Sequence, residues 1–205
     1  VLEACASAAP DAASWAVRLA RTLLLAGEAP RALEVLAGVA PTAATRLVEL
    51  DALRRAGLWE RARAFARTLL DAPETRALGT IALARDAIDR GDLAGAEGHL
   101  VDAGDGGDDA ALRVRVLEVG ALLALVRGEL DAAREGLESA DAVALRAGDV
   151  ALRARVRALV GMVAQRGGDH EAARRAYADA WALACESGDL HAASSYLANL
   201  GGAAL

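Results

Sequence analysis

Stretches rich in apolar residues recur along the whole chain, separated by short polar turns that contain glycine or proline. The apolar residues are mainly Ala, Leu and Val, and aromatic residues make up only 3% of the chain. Alanine and leucine are strong helix formers, whereas sheet proteins favour β-branched and aromatic side chains in their strands. The pattern therefore predicts helices without a sheet. The expected helices span residues 12–26, 29–39, 43–56, 59–70, 74–90, 93–103, 110–127, 130–147, 151–166, 170–187 and 190–204.

Five of the turns share a glycine that is followed, five positions later, by an alanine. The glycines lie 30, 34, 37 and 40 residues apart. Periods of this size are typical of stacked two-helix units, each too small to bury its apolar face alone. We therefore predict an all-α fold, an α-solenoid of antiparallel helix pairs with about 11–12 helices. The five pairs are Gly27 and Ala32, Gly57 and Ala62, Gly91 and Ala96, Gly128 and Ala133, and Gly168 and Ala173.

The repeat spacing also predicts how the chain is divided. We expect residues 1–205 to form a single helical-repeat domain, with residues 1–9 as the tail of a further helix. The chain has no initiator methionine and no signal-like segment, which favours a fragment of a longer protein. The approximate repeats are 12–41, 42–73, 74–109, 110–148 and 149–188, followed by a lone final helix at 189–205.

The turn residues suggest how each unit is closed. A glycine at the end of the first helix suits the C′ position, where φ is positive. In four of the five units the next residue is Asp or Glu, and we expect it to cap the second helix or to lie at the positive N-terminal end of that helix.

The fifth unit combines these features most fully. Gly161, Gly168, Ala173, Tyr177 and Ala180 resemble a tetratricopeptide repeat (TPR), in which small residues let two helices approach and one ring fills the gap between repeats. The resemblance implies a right-handed superhelix. The third and fourth units have similar residue types at the corresponding positions. These are Ala84, Gly91, Ala96, Leu100 and Ala103 in the third unit, and Ala121, Gly128, Ala133, Leu137 and Ala140 in the fourth.

The later repeats are longer than the early ones. Their spacing near 40 residues, with the Gly-Asp pairs at 148 and 188, resembles the maltose-activator-like class of TPR arrays. That resemblance implies a part of a bacterial signal-transducing regulator or kinase.

Net charge, the length of apolar runs and cysteine content limit the partners and the cellular compartment that we expect. The formal net charge of −6 argues against nucleic acid as a partner. No apolar run reaches the roughly 18 residues needed to span a bilayer. Cys5 and Cys185 lie far apart in an array expected to be elongated, which favours two free thiols and a cytoplasmic location.

Candidate catalytic and metal-binding residues each have a stronger structural explanation. His99, His170 and His191 lack the i, i+4 spacing of a helical metal pair, and Cys185 lacks an oxyanion-binding feature near it. A chain without lysine cannot contain a P-loop. We expect no catalysis, no metal and no cofactor. The acidic loop residues are expected to be solvated linker, namely Asp102, Asp105, Asp108 and Asp109.

The repeat resemblance also implies which residues face the concave groove. Aliphatic side chains there alternate with charges of both signs, which suits an amphipathic helix or an extended segment. The expected groove residues are Leu78, Ile81, Arg85, Arg115, Glu118, Leu122, Leu125, Arg155 and Met162.

Several functional hypotheses remain open at this point. The first is a protein-interaction module that binds a peptide or partner segment, including one from its own parent chain. The second is an effector-sensing domain that binds a small molecule, and the third is a piece of an enzyme whose active site lies elsewhere. Tight curvature could instead fill the groove with the protein's own side chains. The final helix, expected to pack on Tyr177 and Trp181, also offers an open face for self-association.

Overall fold

The computed structural model describes residues 12–203, and all regular structure in this range is helical. A 3₁₀ turn at Leu69–Asp71 joins the helix that ends at Thr68 to the helix that begins at Pro73. Each expected helix is present, with ends that differ by at most two residues from the sequence-based boundaries. The helix tail expected at residues 1–9 lies outside the described range. The eleven helices of the described residues are α1 (Ala12–Leu25), α2 (Ala29–Ala37), α3 (Ala43–Arg55), α4 (Trp59–Thr68), α5 (Pro73–Asp89), α6 (Leu93–Ala103), α7 (Ala110–Arg127), α8 (Leu130–Ala147), α9 (Val150–Arg166), α10 (His170–Ser187) and α11 (Leu190–Gly202).

The turn inside each unit depends on glycine. Gly128 ends α7 with φ at 81°, and its N–H points to the carbonyl oxygens of Ala124 and Leu125. A residue with a side chain rarely adopts this left-handed conformation, so glycine closes the turn without strain. The predicted positive φ is confirmed in the other four units as well, at Gly27, Gly57, Gly91 and Gly168.

The acidic residue after the glycine caps the next helix only when it is aspartate. Asp92 accepts a hydrogen bond from the Gly95 N–H, and Asp169 accepts one from the Ala172 N–H, both at 2.9 Å. Glu129, at the same position in its unit, makes no side-chain cap hydrogen bond. Its extra methylene makes the carboxylate a poorer fit to the first-turn N–H groups than the short Asp side chain. The side-chain cap is therefore present for aspartate and absent for glutamate, whose charge lies at the helix N-terminus without a cap hydrogen bond.

Small residues allow the two helices of a unit to pack closely. The recurring alanine five positions after the turn glycine is buried in every unit: Ala32, Ala62, Ala96, Ala133 and Ala173. Between α9 and α10 the ring of Tyr177 lies against Gly161, where an added Cβ would be 2.6 Å from the ring atom Cε1. Close helix packing through small residues is what the repeat resemblance implied.

The core of the molecule extends along the array. Its largest cluster runs from Ile81 in α5 to Val163 in α9, and smaller clusters lie on either side. Stacked units that contact mainly their neighbours give this distribution. The predicted all-α solenoid of helix pairs is confirmed.

The two ends of the described array meet. The final helix α11 packs on α10 and also contacts α1. Arg55, the last residue of α3, donates hydrogen bonds to the Leu24 carbonyl oxygen at 3.0 Å and to the Asp189 carboxylate at 3.0 and 3.4 Å. The expectation of an elongated array is therefore wrong, because the described stack curves until α11 reaches α1.

Candidate ligand cavity between the inner helices

Alternate helices of the solenoid converge on one cavity with a volume of about 340 Å³. These inner helices are α3, α5, α7, α9 and α11, so successive repeats each contribute one wall. The lining combines apolar side chains with five arginines and two carboxylates. It consists of Leu50, Asp51, Arg54, Arg55, Leu78, Ile81, Ala82, Arg85, Arg115, Glu118, Val119, Arg155, Ala158, Leu159, Met162, Tyr196 and Asn199.

Seven of the nine groove residues expected from the sequence line this cavity: Leu78, Ile81, Arg85, Arg115, Glu118, Arg155 and Met162. The other two, Leu122 and Leu125, lie in the largest core cluster and not in the lining. Both follow Glu118 on α7, and this helix packs against α5, α6, α8 and α9. Whether any of the nine contacts a ligand stays a prediction.

Two ion pairs cross the cavity wall from different helices. Arg115 on α7 donates to Asp51 on α3 at 3.1 Å, and Arg155 on α9 donates to Glu118 on α7. Burial tends to raise the pKa of Asp51, but the charges of Arg115 and Arg155 and the Arg115 hydrogen bond outweigh it, so the net pKa is lowered. The charge of Glu118 raises the pKa of Arg155. Asp51 and Arg155 are therefore both charged near neutral pH.

These pairs leave two buried polar atoms without partners. The Nε of Arg115 and the Oε1 of Glu118 make no hydrogen bond within residues 12–203, and Glu118 is only 4% exposed. A buried polar atom without a partner lowers stability, so such atoms are uncommon in folded proteins. The charged wall is thus not optimised for stability alone.

A second group of charges lies at the α3 and α5 walls. Arg85 donates through Nε to Asp89 at 3.2 Å, while the nearest nitrogen of Arg54 is 3.7 Å from the same carboxylate. Burial, followed by the positive charge of Arg85, lowers the pKa of Arg54. Two guanidinium groups therefore share one carboxylate.

The meeting of the two ends adds residues that the sequence did not single out for the cavity. Tyr196 and Asn199 of α11 line it, together with Arg55 of α3. Burial raises the pKa of Tyr196 to about 12, so its hydroxyl stays protonated and can donate a hydrogen bond. No local motif marks these residues, because they reach the cavity only when α11 returns to α1.

The aromatic residues of α10 have different environments. Tyr177 is buried, packs with Leu200 and Ala203 near the chain end, and donates from its hydroxyl to Gln165 Oε1 at 3.0 Å. Trp181 is 41% exposed. The expected packing against the final helix is confirmed for Tyr177, through Leu200, and stays a prediction for Trp181.

The residues first considered for metal or acid–base chemistry remain scattered. Within residues 12–203 no three His, Cys, Asp or Glu side chains come together as a metal site. Asp105 accepts from the Gly107 N–H and Asp109 caps α7, so two of the four loop aspartates hold local structure. In the same range no helix is long and apolar enough to cross a membrane.

Comparison with known proteins identifies the fold and not a family. No protein-family model matches the sequence, and no curated protein matches it. The architecture is that of a TPR-like α-solenoid. Among solved structures, the fold is similar to that of pilF from Pseudomonas aeruginosa, a TPR-containing protein. The TM-score is 0.55 at 16% identity, over 88% of this chain and 86% of the other, a level at which similarity supports the fold alone.

Proposed function

We propose that this chain is a non-catalytic TPR-type interaction module that holds a segment of a protein partner against its inner helices. The observation that carries the proposal is the convergence of five successive inner helices on one recessed surface. Apolar side chains there can supply contact area, while arginines fix the orientation of the segment. The partner segment could come from another protein or from the parent chain, where tethering raises its effective concentration.

The mixture of aliphatic and charged side chains in the lining suits either an amphipathic helix or an extended segment. The partner segment in this proposal therefore has one of these two conformations.

Site-directed crosslinking tests this function. Met162 is 38% exposed and lines the cavity, whereas Val101 on α6 is 75% exposed and lies outside it. A photoreactive benzoylphenylalanine at Met162 should crosslink a partner segment that the same group at Val101 does not. The segment, identified by mass spectrometry, is then synthesised and titrated against the Met162→Glu and Val101→Glu variants.

We expect Met162→Glu to weaken binding about tenfold or more, because a charge enters an apolar contact. Val101→Glu should have no effect. The opposite result, with loss of binding only in Val101→Glu, would place the working surface on the outer helices.

A second candidate function is supported by the shape of the cavity. Its volume of about 340 Å³ falls within the range of small-molecule pockets, roughly 300–1,000 Å³. The chain would then be the effector-sensing domain of a larger regulator, such as a bacterial transcriptional regulator or a STAND-type ATPase of the maltose-activator-like class. Effector binding would be read out as a change in the contact between α1 and α11.

Two further properties belong to the proposal. The exposed Leu190 and Leu197 on α11 offer an apolar surface for self-association, testable by sedimentation of the Leu197→Asp variant. The net charge of −6 and the free Cys185 suit a cytoplasmic protein that does not bind nucleic acid.

A further inference from the structure

The charges around the cavity do not balance. Five arginines line it: Arg54, Arg55, Arg85, Arg115 and Arg155. Four carboxylates pair with them: Asp51 with Arg115, Glu118 with Arg155, Asp189 with Arg55, and Asp89 with both Arg54 and Arg85. One positive charge is left over, although the chain as a whole carries −6. The excess lies where Arg54 and Arg85 share Asp89.

Of these arginines Arg54 has the most free donors, because it makes no hydrogen bond to any residue described between 12 and 203. Asp89 pairs with it at 3.7 Å, and Asp51 attracts its charge more weakly. Arg85 uses only Nε in its bond to Asp89. The two guanidinium groups come from α3 and α5 and both line the cavity, so their remaining N–H groups can meet on one anionic group.

Part of the cavity wall is apolar. Leu78, Ile81, Leu159 and Met162 line the cavity together with Arg54 and Arg85. A ligand that matches such a wall has a charged end and a hydrocarbon body, because burying the apolar part releases water from both surfaces.

We infer that the cavity binds a small organic monocarboxylate, with its carboxylate on Arg54 and Arg85 and its apolar body against Leu78, Ile81 and Met162. The inference rests on the second candidate function and names its ligand class. A carboxylate fits better than a phosphate monoester, because a carboxylate brings the single negative charge that the site lacks and a phosphate brings nearly two. Arginine pairs with the planar carboxylate through two parallel hydrogen bonds.

Hexanoate and hexanamide are the matched probes for this inference. They have nearly the same shape and differ in charge, so isothermal titration of the whole chain with each isolates the contribution of the carboxylate. We expect hexanoate to bind at least about tenfold more tightly than hexanamide, since hydrogen bonds to charged groups contribute more than neutral ones. A leucine-ended tripeptide, with a free or an amidated C-terminus, tests whether the carboxylate can belong to a peptide.

Variants of the charged residues make the test specific. Arg54→Met and Arg85→Met should each reduce hexanoate affinity about tenfold or more. Arg175→Met removes the same charge from an exposed position on α10 outside the cavity lining and should have no effect. Asp89→Asn removes the competing carboxylate and should tighten hexanoate binding several-fold. A misfolded variant would not bind more tightly, so this gain of affinity separates the inference from loss of structure.

Tighter hexanoate binding by Asp89→Asn and weaker binding by the two arginine variants support the site. Equal binding of hexanoate and hexanamide overturns the ligand class but leaves a small-molecule cavity. Binding of the free-acid tripeptide without hexanoate overturns the small-molecule source and favours the partner-segment function. No binding of any probe at millimolar concentration overturns the inference, while the Met162 crosslink tests the protein-interaction function separately.

Discussion

At the scale of single residues, glycine and alanine set the distance between neighbouring helices. The Tyr177 ring lies so close to Gly161 that the space for a Cβ is already occupied by ring atoms at 2.6 and 2.7 Å. Protein interiors are close-packed, so even one additional methyl group is felt where no space remains. Gly120 on α7 provides the contrast, because nothing lies within 4 Å of the position that a Cβ would take there.

Gly161→Ala is expected to destabilise the protein by about 1–3 kcal/mol, because the ring of Tyr177 must move. Gly120→Ala is expected to stabilise it by about 0.5–1 kcal/mol, since alanine favours the helix and meets no neighbour. Urea unfolding followed by circular dichroism measures both. If the two variants had the same stability, the close contact between α9 and α10 would be incorrect.

At the scale of the helix, the start of each second helix shows how side-chain length decides capping. Asp92 and Glu129 have similar backbone angles, with φ at −82° for both and ψ at 74° and 67°. Only the aspartate accepts a first-turn N–H. The difference therefore lies in the side chain and not in the backbone, and one methylene separates a capped helix from an uncapped one.

Glu129→Asp is expected to stabilise the chain by about 0.5–1 kcal/mol, because it adds an N-cap hydrogen bond to α8. The reference is Asp169, whose replacement by alanine should cost about 1 kcal/mol and by asparagine almost nothing. Thermal unfolding of the three variants gives the comparison. Lower stability of Glu129→Asp would mean that Glu129 contributes a contact other than capping.

At the scale of the whole molecule, one ion pair joins residues far apart in the chain. Arg55 and Asp189 are 134 positions apart and connect the end of α3 to the start of α11. Asp189 is 7% exposed and also caps α11 by accepting from the Ala192 N–H. The contact joins the two ends of the described array beside the cavity, which Arg55 also lines.

Asp189→Asn separates the two roles of this residue, because asparagine caps a helix as well as aspartate but carries no charge. We expect the free energy of unfolding to fall by about 1–3 kcal/mol, which lies between the values for exposed and for buried ion pairs. Spin labels at Thr22 on α1 and Ser195 on α11, in a background with Cys5 and Cys185 replaced by serine, should report a longer or broader distance. An unchanged distance distribution would show that apolar packing alone holds the ends together.

The sequence by itself determined the helices, their turns and the class of fold. These features depend on local preferences, such as positive φ at Gly128 and helix propensity in Ala-rich and Leu-rich stretches, and on a repeat period that is visible along the chain. It also identified seven of the residues that line the cavity, because inner helices recur once per unit.

Only the tertiary structure decided the closure of the array and the final form of the cavity. Curvature is the sum of small rotations between units, and each rotation depends on side-chain packing at a particular helix crossing. Arg55 and Tyr196 line the cavity because of this accumulated curvature, and no local sequence motif marks them. Nearly every residue from Val119 to Val126 is apolar, so the sequence pattern does not indicate which side of α7 faces the cavity. Packing of the neighbouring helices places Leu122 and Leu125 in the core.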